Sequence, residues 1–561
     1  MAKRLAVTIA GAVSLGSYEA GVLYELMEAI RTHNTEATEN QKIYVDVITG
    51  ASAGGMTAAM VAQRLMYDGK ALEGEFTNAL YEAWVKNISL MRLVKMRWKE
   101  KKWHSLLSSD LVQSIGHRML IQSMEGALTG PHAAVEQIEG VPQRIRVGLA
   151  LTNLNGIDYM IPILGNPDGG FNYTTSVDQM TFEVTGNKRD DAPGWKQMCD
   201  AAVASGAFPA AFRPKSISRS VGDFGDRLPV PVSPSDQGKT FVDWSGRSPA
   251  DFAYSDGGVL QNQPLGIAKN LVDDVVAERA TGRDPAAFCD ASDRLYVFVA
   301  PHSVKSTAKK LHAQKITIWD ELKQLLHVYL RQAMFHDWIV AEGMNQNIRL
   351  LDNRASGLAK VIADGAVDIP ALFKASSDLN HILIGSENEE QGRLIRLQEQ
   401  YSTEYRLVEQ AAGIEGAKAF ISALATLEAA AQLESRDKMK IVAVVADPQK
   451  ELAGSGLASF VGFFKLSFRE HDYWVGRVKT RTYLKRPDVK QILGVTSWPH
   501  EEEWNKDLPN TSGVTLPLKF FQVARAAFIP AVIFVLLRPV LLLAFALLCG
   551  LVLGVRYLPH H

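Results

Sequence analysis

The sequence predicts an α/β protein: a mostly parallel sheet flanked by helices, extended by a mainly helical C-terminal region and an apolar terminal segment. Three observations predict it. Short, largely apolar strands recur at Leu5–Ala10, Tyr44–Thr49, Arg146–Leu151 and Leu295–Ala300, and uninterrupted apolar runs suit strands covered on both faces. Helical periodicity alternates with the first strands. Ser17–Arg31 carries Val22, Leu23, Leu26 and Ile30 at helical spacing, and Gly54–Met66 follows the second strand. Such alternation builds a parallel sheet under two helical layers. After about residue 305 the chain turns mainly helical, with Ile318–Met344 and Glu389–Glu434 periodic and mixed in surface charge. Lys440–Ala446 reads as one more strand, completing the sheet.

The chain has 561 residues, enough for two or three domains at roughly 100–200 residues each. No repeat of fixed period is visible. Lys+Arg (60) and Asp+Glu (61) leave a net charge of −1, so no global basic excess points to nucleic acid. Attraction to an anionic partner must come from a local patch. One such patch is Lys86–Trp103, in which Lys86, Arg92, Lys95, Arg97, Lys99, Lys101 and Lys102 face one acid, Glu100, among interleaved Leu, Met and Trp. It suits an anionic membrane surface, or equally a solvated helix with a few core contacts. Cys199, Cys289 and Cys549 form no CxxC and no Cys/His pair at metal-ligand spacing. They read as buried thiols in a reducing compartment; no metal and no cofactor is expected.

Both ends imitate targeting signals. Lys3 and Arg4 precede an apolar run, but Gly11, Ser14, Gly16 and Glu19 interrupt it early. This end is read as a buried strand and turn rather than a cleaved leader. Residues 526–555 are almost wholly apolar, with Arg538 the one charge and Pro530 and Pro539 as breakers. The run exceeds the ~20 residues of a spanning helix. It reads as one spanning helix, as a hairpin returning to the same face, or as a buried helix pair. Lys519 and Arg525 before it favour a cytoplasmic main domain at an inner membrane. Pro214–Phe252 is rich in Pro, Ser, Gly and Asp and reads as a long surface loop. Asn505–Gly513 reads as a linker.

The chemistry centres on Gly50-Ala51-Ser52-Ala53-Gly54. This GxSxG follows a predicted strand and opens a predicted helix, the setting of a nucleophile elbow. Gly50 and Gly54 permit the tight turn, and the helix start aims free N–H groups at the reacting centre. A serine hydroxyl needs a base. One candidate is His302, just past a strand. A sharper one is Asp256 in Ser255-Asp256-Gly257-Gly258, where two glycines allow the backbone to bend. Gly11-Ala12-Val13-Ser14-Leu15-Gly16 lacks the lysine of a phosphate loop. Its backbone amides can instead face an oxyanion.

Four segments in order give a resemblance over about the first 300 residues: the loop Gly11–Gly16, the elbow Gly50–Gly54, Ala204-Ser205-Gly206-Ala207-Phe208-Pro209 with Phe212 and Pro214, and Asp256-Gly257-Gly258 with Asn262 and Pro264. Together they resemble the patatin-like phospholipases. The resemblance implies a three-layer α/β/α fold and a Ser-Asp dyad, with Ser52 as nucleophile and Asp256 as base. It implies an oxyanion hole from the amides of Gly11, Ala12 and Val13. Substrate and partner would be fatty-acyl esters in a phospholipid membrane. The loop departs from the family pattern: Ala12 and Val13 replace glycines, Leu15 replaces a basic residue, and Thr152-Asn153-Leu154 stands for Thr-Asp-Leu. The alternatives are a Ser-His-Asp esterase using His302, or a catalytically weak tethered scaffold. The segment Phe468-Arg469-Glu470-His471-Asp472-Tyr473 with Gly476-Arg477 resembles a tail of some bacterial relatives. It reads as a structural ion-pair network or as a head-group or partner contact. The expected division is a catalytic domain at 1–305, an accessory region at 306–525 with a late strand at 440–446, and a membrane-embedded segment at 526–555.

Overall fold

A computed structural model describes residues 2–67, 69–97, 105–122, 144–163, 166–185, 192–220, 223, 249–280, 294–301, 321, 346, 348–384, 387–431, 439–448, 450–455 and 459–505. Among the described residues eight strands form one sheet: β1 Lys3–Ile9, β2 Ile43–Gly50, β3 Arg144–Ile163, β4 Asn166–Thr185, β5 Lys215–Arg219, β6 Ala250–Asp256, β7 Arg294–Ala300 and β8 Lys440–Val445. Their order is β5-β6-β3-β2-β1-β7-β8, with β4 on β3. The run from β3 through β2, β1 and β7 to β8 is parallel, as the apolar strands predict. The late strand at 440–445 does complete the sheet, beside β7.

Alternate side chains of the central strands feed two cores. Leu5, Val7, Ile9, Leu295, Val297 and Val299 join the core under α1 Gly16–Glu36 and α2 Ala53–Tyr67. Ala6, Ala10, Tyr296, Phe298 and Ala300 join the opposite core, under the helix Leu265–Ala280. This period-two division is the three-layer architecture in physical terms.

The sheet differs from expectation at one edge. β3 and β4 are 20 residues each and antiparallel, and β5 and β6 add antiparallel strands. The third stretch expected as strand, Arg146–Leu151, is one part of β3. Both ends of the Pro214–Phe252 stretch expected as loop are strands. In β5 only Ile217 and Arg219 are buried, so no apolar run announces it; residues 224–248 lie outside the described ones.

Further helices among the described residues include α3 Leu90–Arg97, α4 Ser109–His117, α5 Ala192–Ser205, α6 Leu265–Ala280, α7 Ile369–Ile384, α8 Glu387–Gln400, α9 Ser402–Ala430, α10 Leu466–Leu484 and α11 Pro487–Leu493. A separate core of Ile348, Leu351, Leu397, Phe420 and Leu424 joins the helix 348–363 to α8 and α9. The periodic stretch from Glu389 is two helices, parted at Tyr401 and kinked at Gly413 (φ +71°). Ile318–Met344, apart from Glu321, lies outside the described residues.

The Phe468–Arg477 segment lies on α10, which packs against α1. Gly21 and Gly476 allow the approach, since a Cβ on either would overlap the facing backbone. Arg477 donates to Glu25 at 2.8 Å and also pairs with Glu75, while Arg481 donates to Glu25 at 2.7 Å. Asp472 accepts the Ala453 and Gly454 amides at 2.7 and 2.9 Å. Arg477 and Asp472 are buried, so the network reading is the one this geometry gives. Cys199 is a buried free thiol, pushed up to about 12 by burial. Among the described residues no helix is long and apolar enough to cross a membrane. The 526–555 run, residues 98–104 of the basic patch, His302, Cys289 and Cys549 lie outside them.

Candidate active site

The strand β2 ends at Gly50 and α2 begins at Ala53, so Ser52 occupies the turn between them, at φ +55°. A left-handed non-glycine residue is held only where its surroundings over-determine it. Several contacts hold this one. Gly55 and Met56 donate backbone N–H groups to the Ser52 carbonyl at 3.0 and 3.2 Å. A Cβ on Gly54 would sit 2.5 Å from the Ile9 and Ala10 carbonyl oxygens, which is why the turn closes only with glycine there. Ser205, at the end of α5, adds a brace. Its hydroxyl accepts the Ser52 amide at 3.0 Å and donates to the Ala150 carbonyl at 2.8 Å.

Ser205→Ala is therefore expected to leave two buried backbone groups unpaired, at a cost of roughly 1–3 kcal/mol, and to lower turnover. Denaturant unfolding and steady-state kinetics on the same preparation check it. Unchanged stability and turnover would show that the brace is idle.

Asp256 ends β6, paired with Leu151 of β3. The Ser52 hydroxyl donates to its Oδ2 at 2.6 Å, and the Gly258 amide donates to Oδ1 at 2.7 Å. Asp256 is 1% exposed. Burial pushes its carboxyl up to about 7, against the lowering effect of those two donors. The carboxylate is thus a better base near neutrality than an ordinary one. Among the described residues Asp256 is the partner of the Ser52 hydroxyl.

The Gly11–Leu15 loop runs beside the elbow: a Cβ built on Gly11 would lie 3.0 Å from Ser52 Cβ. One expected donor needs correction. The Gly11 amide already donates to the Asn262 carbonyl at 3.0 Å, so it is engaged in holding the loop to the segment after Asp256. Val13 adopts φ +54°, a conformation in which a β-branched residue is strained.

Ser52 opens on an apolar pocket of about 350 Å³, lined by Val13, Met56, Phe208, Phe212 and Phe463 among others. A second apolar cavity of about 450 Å³ adjoins it and shares Met56, Trp84, Ile88 and Val112. The aromatic wall residue Phe463 was not legible beforehand, and neither was the bracing role of Ser205. Phe463 lies far from the motifs in the chain; Ser205 lies within the Ala204–Pro209 segment, but nothing in that segment tells what its hydroxyl bonds.

The site is thus a left-handed serine at a strand-to-helix elbow, hydrogen-bonded to a buried aspartate and facing an apolar pocket. Residues 7–269 match the sequence model of the patatin-like phospholipase family. Over that stretch, a little under half of the chain, the sequence is similar to the patatin-like phospholipases. It is also similar to the uncharacterized protein y4iI of Sinorhizobium fredii (strain NBRC 101917 / NGR234), with 23% identity over 364 residues. That match covers 53% of this chain and 49% of the relative, so the chain spans about half the relative's length.

Proposed function

We propose that the protein is a phospholipase A-type enzyme that cleaves fatty-acyl esters of membrane phospholipids through a Ser52–Asp256 dyad. The observation that carries the proposal is the 2.6 Å Ser52–Asp256 hydrogen bond at the edge of an apolar pocket. As Ser52 Oγ attacks the ester carbonyl carbon, its proton passes to Asp256 Oδ2. The developing oxyanion meets the Ala12 and Val13 amides and the N-terminal end of α2. Collapse of the tetrahedral intermediate breaks the ester bond, and Asp256 returns the proton to the departing alcohol. Water then gives a proton to Asp256 and attacks the acyl-enzyme; collapse breaks the acyl–Oγ bond, Asp256 returns the proton to Ser52 Oγ, and the fatty acid leaves. The apolar run 526–555 and the basic, apolar-interleaved patch from Lys86 are assigned to holding the enzyme at the lipid surface, with the catalytic domain cytoplasmic.

The test is fatty-acid release from mixed phospholipid vesicles by the intact protein and by Ser52→Ala. Release confined to the intact protein supports the proposal; equal release by both overturns it. The pH dependence is a separate expectation. Asp256 works as the carboxylate, and burial raises its carboxyl to about 7. Accordingly kcat/KM should rise with pH through about 7 and level off above it. A limb in the ordinary carboxylate range instead would remove Asp256 as the base.

A further inference from the structure

The turn Ser459–Phe463 lies outside the patatin-like domain in sequence, yet it sits on the Gly11–Leu15 loop. The Ser14 hydroxyl donates to the Ser459 carbonyl, and the Gly462 amide donates to that hydroxyl at 3.1 Å. Ser14 is fully buried. Both turns carry a non-glycine residue in the left-handed region, Val13 at φ +54° and Ser459 at φ +68°. Such conformations persist where neighbours fix them and cluster at functional sites. One buried hydroxyl here links the two strained turns.

The Phe468–Arg477 segment supports this link from behind. Arg469 Nε donates to the Val85 carbonyl at 2.7 Å, and its Nη1 donates to the Gly462 carbonyl at 2.9 Å. Asp472 holds the Ala453–Gly454 turn, where a Cβ on Gly454 would lie 3.0 Å from Leu15 and 3.2 Å from Gly462. The turn so held delivers Phe463 to the pocket wall beside Val13 and Ser52. Phe460 meets Phe208 edge to face, with ring centroids 5.4 Å apart.

We infer that the Ser459–Phe463 turn is a working part of the acyl site: Phe463 is a specificity-determining wall for the acyl chain, and Ser14 is a positioning residue that holds the Ala12 and Val13 amides against Ser52. The inference rests on the acyl-hydrolase reading above. It gives the distal segment a role at the site, exerted through the turn it anchors.

The full-length protein, Phe463→Ala, Phe463→Leu, Ser14→Ala and Ser14→Thr are compared on p-nitrophenyl esters from butyrate to palmitate. Active sites are counted with a fluorophosphonate. Phe463→Ala should shift the palmitate-to-butyrate ratio of kcat/KM about tenfold towards the longer chain. Phe463→Leu should shift it less, in the same direction, and serves alone if the alanine variant does not fold. Ser14→Ala should lower kcat per active site about 10²-fold with KM little changed, and Ser14→Thr should restore most of it. A tail that merely stabilises the fold would lower thermal stability while leaving the chain-length ratio and per-site kcat unmoved; that result overturns the inference. An intact protein that hydrolyses none of the esters and takes up no phosphonate overturns the Ser52–Asp256 reading, and this one with it.

Discussion

Asp256→Asn is expected to lower acyl-ester hydrolysis by at least ~10³-fold while the protein stays folded, because asparagine keeps the shape but cannot take the serine proton. The Ser52 hydroxyl has Asp256 as its partner at 2.6 Å, and within the proposed mechanism no other group takes its proton. Stability should move the other way. A buried carboxyl raised from its ordinary value to about 7 favours the folded state while protonated. That contribution is fully present below the unfolded-state value and is lost as pH rises through about 7. Asparagine does not ionise, so the variant should gain stability relative to the wild type between about pH 4 and pH 7. Urea unfolding across that range checks the sign. Near-wild-type turnover in Asp256→Asn would reject the dyad.

The second large effect falls far from the site. The register of β1 on β2 slips between Leu5 and Ala6, so Asp46 has no residue opposite it in β1. Its carboxylate, 3% exposed, instead accepts from Arg294 Nη2 at 2.8 Å and Arg4 Nη1 at 3.1 Å, with a further bond from Arg294 Nη1. Burial works to raise the carboxyl, but the Arg294 and Arg4 guanidinium groups outweigh it and hold it below its usual range. Asp46→Ala would remove the buried carboxylate that pairs with the buried Arg294 and the partly buried Arg4. Destabilisation of about 3–5 kcal/mol is expected, measured by equilibrium unfolding at neutral pH. The Asp46 contribution is present above the ordinary carboxylate value and is lost on acidification, so the wild type and Asp46→Ala should converge at low pH. A loss below about 1 kcal/mol at neutral pH would show that the cluster contributes no more than a surface pair.

Much of the fold was legible because the parallel strands are buried on both faces and their sequences say so. The antiparallel edge was not. Leu154 is exposed and Ile157 buried on β3, so only its Arg146–Leu151 part read as strand, and β5 buries only Ile217 and Arg219, so it fell within the stretch read as loop. At the site, Ser52 and Asp256 announced themselves through glycines that the backbone turns require. The engagement of the Gly11 amide by Asn262 carried no such mark, since a backbone-to-backbone bond leaves no side-chain signature. The wall from Phe463 was further out of reach. It depends on contacts between residues 445 and 448 positions apart, which no local pattern encodes.

The most direct measurement of the central claim is intact-protein mass spectrometry after exposure to a fluorophosphonate, with the adduct mapped by peptide. The account predicts one stoichiometric adduct on Ser52 in the wild type, and labelling slowed at least ~10²-fold in Asp256→Asn. Absence of an adduct on folded wild-type protein, or an equal labelling rate without Asp256, would contradict it.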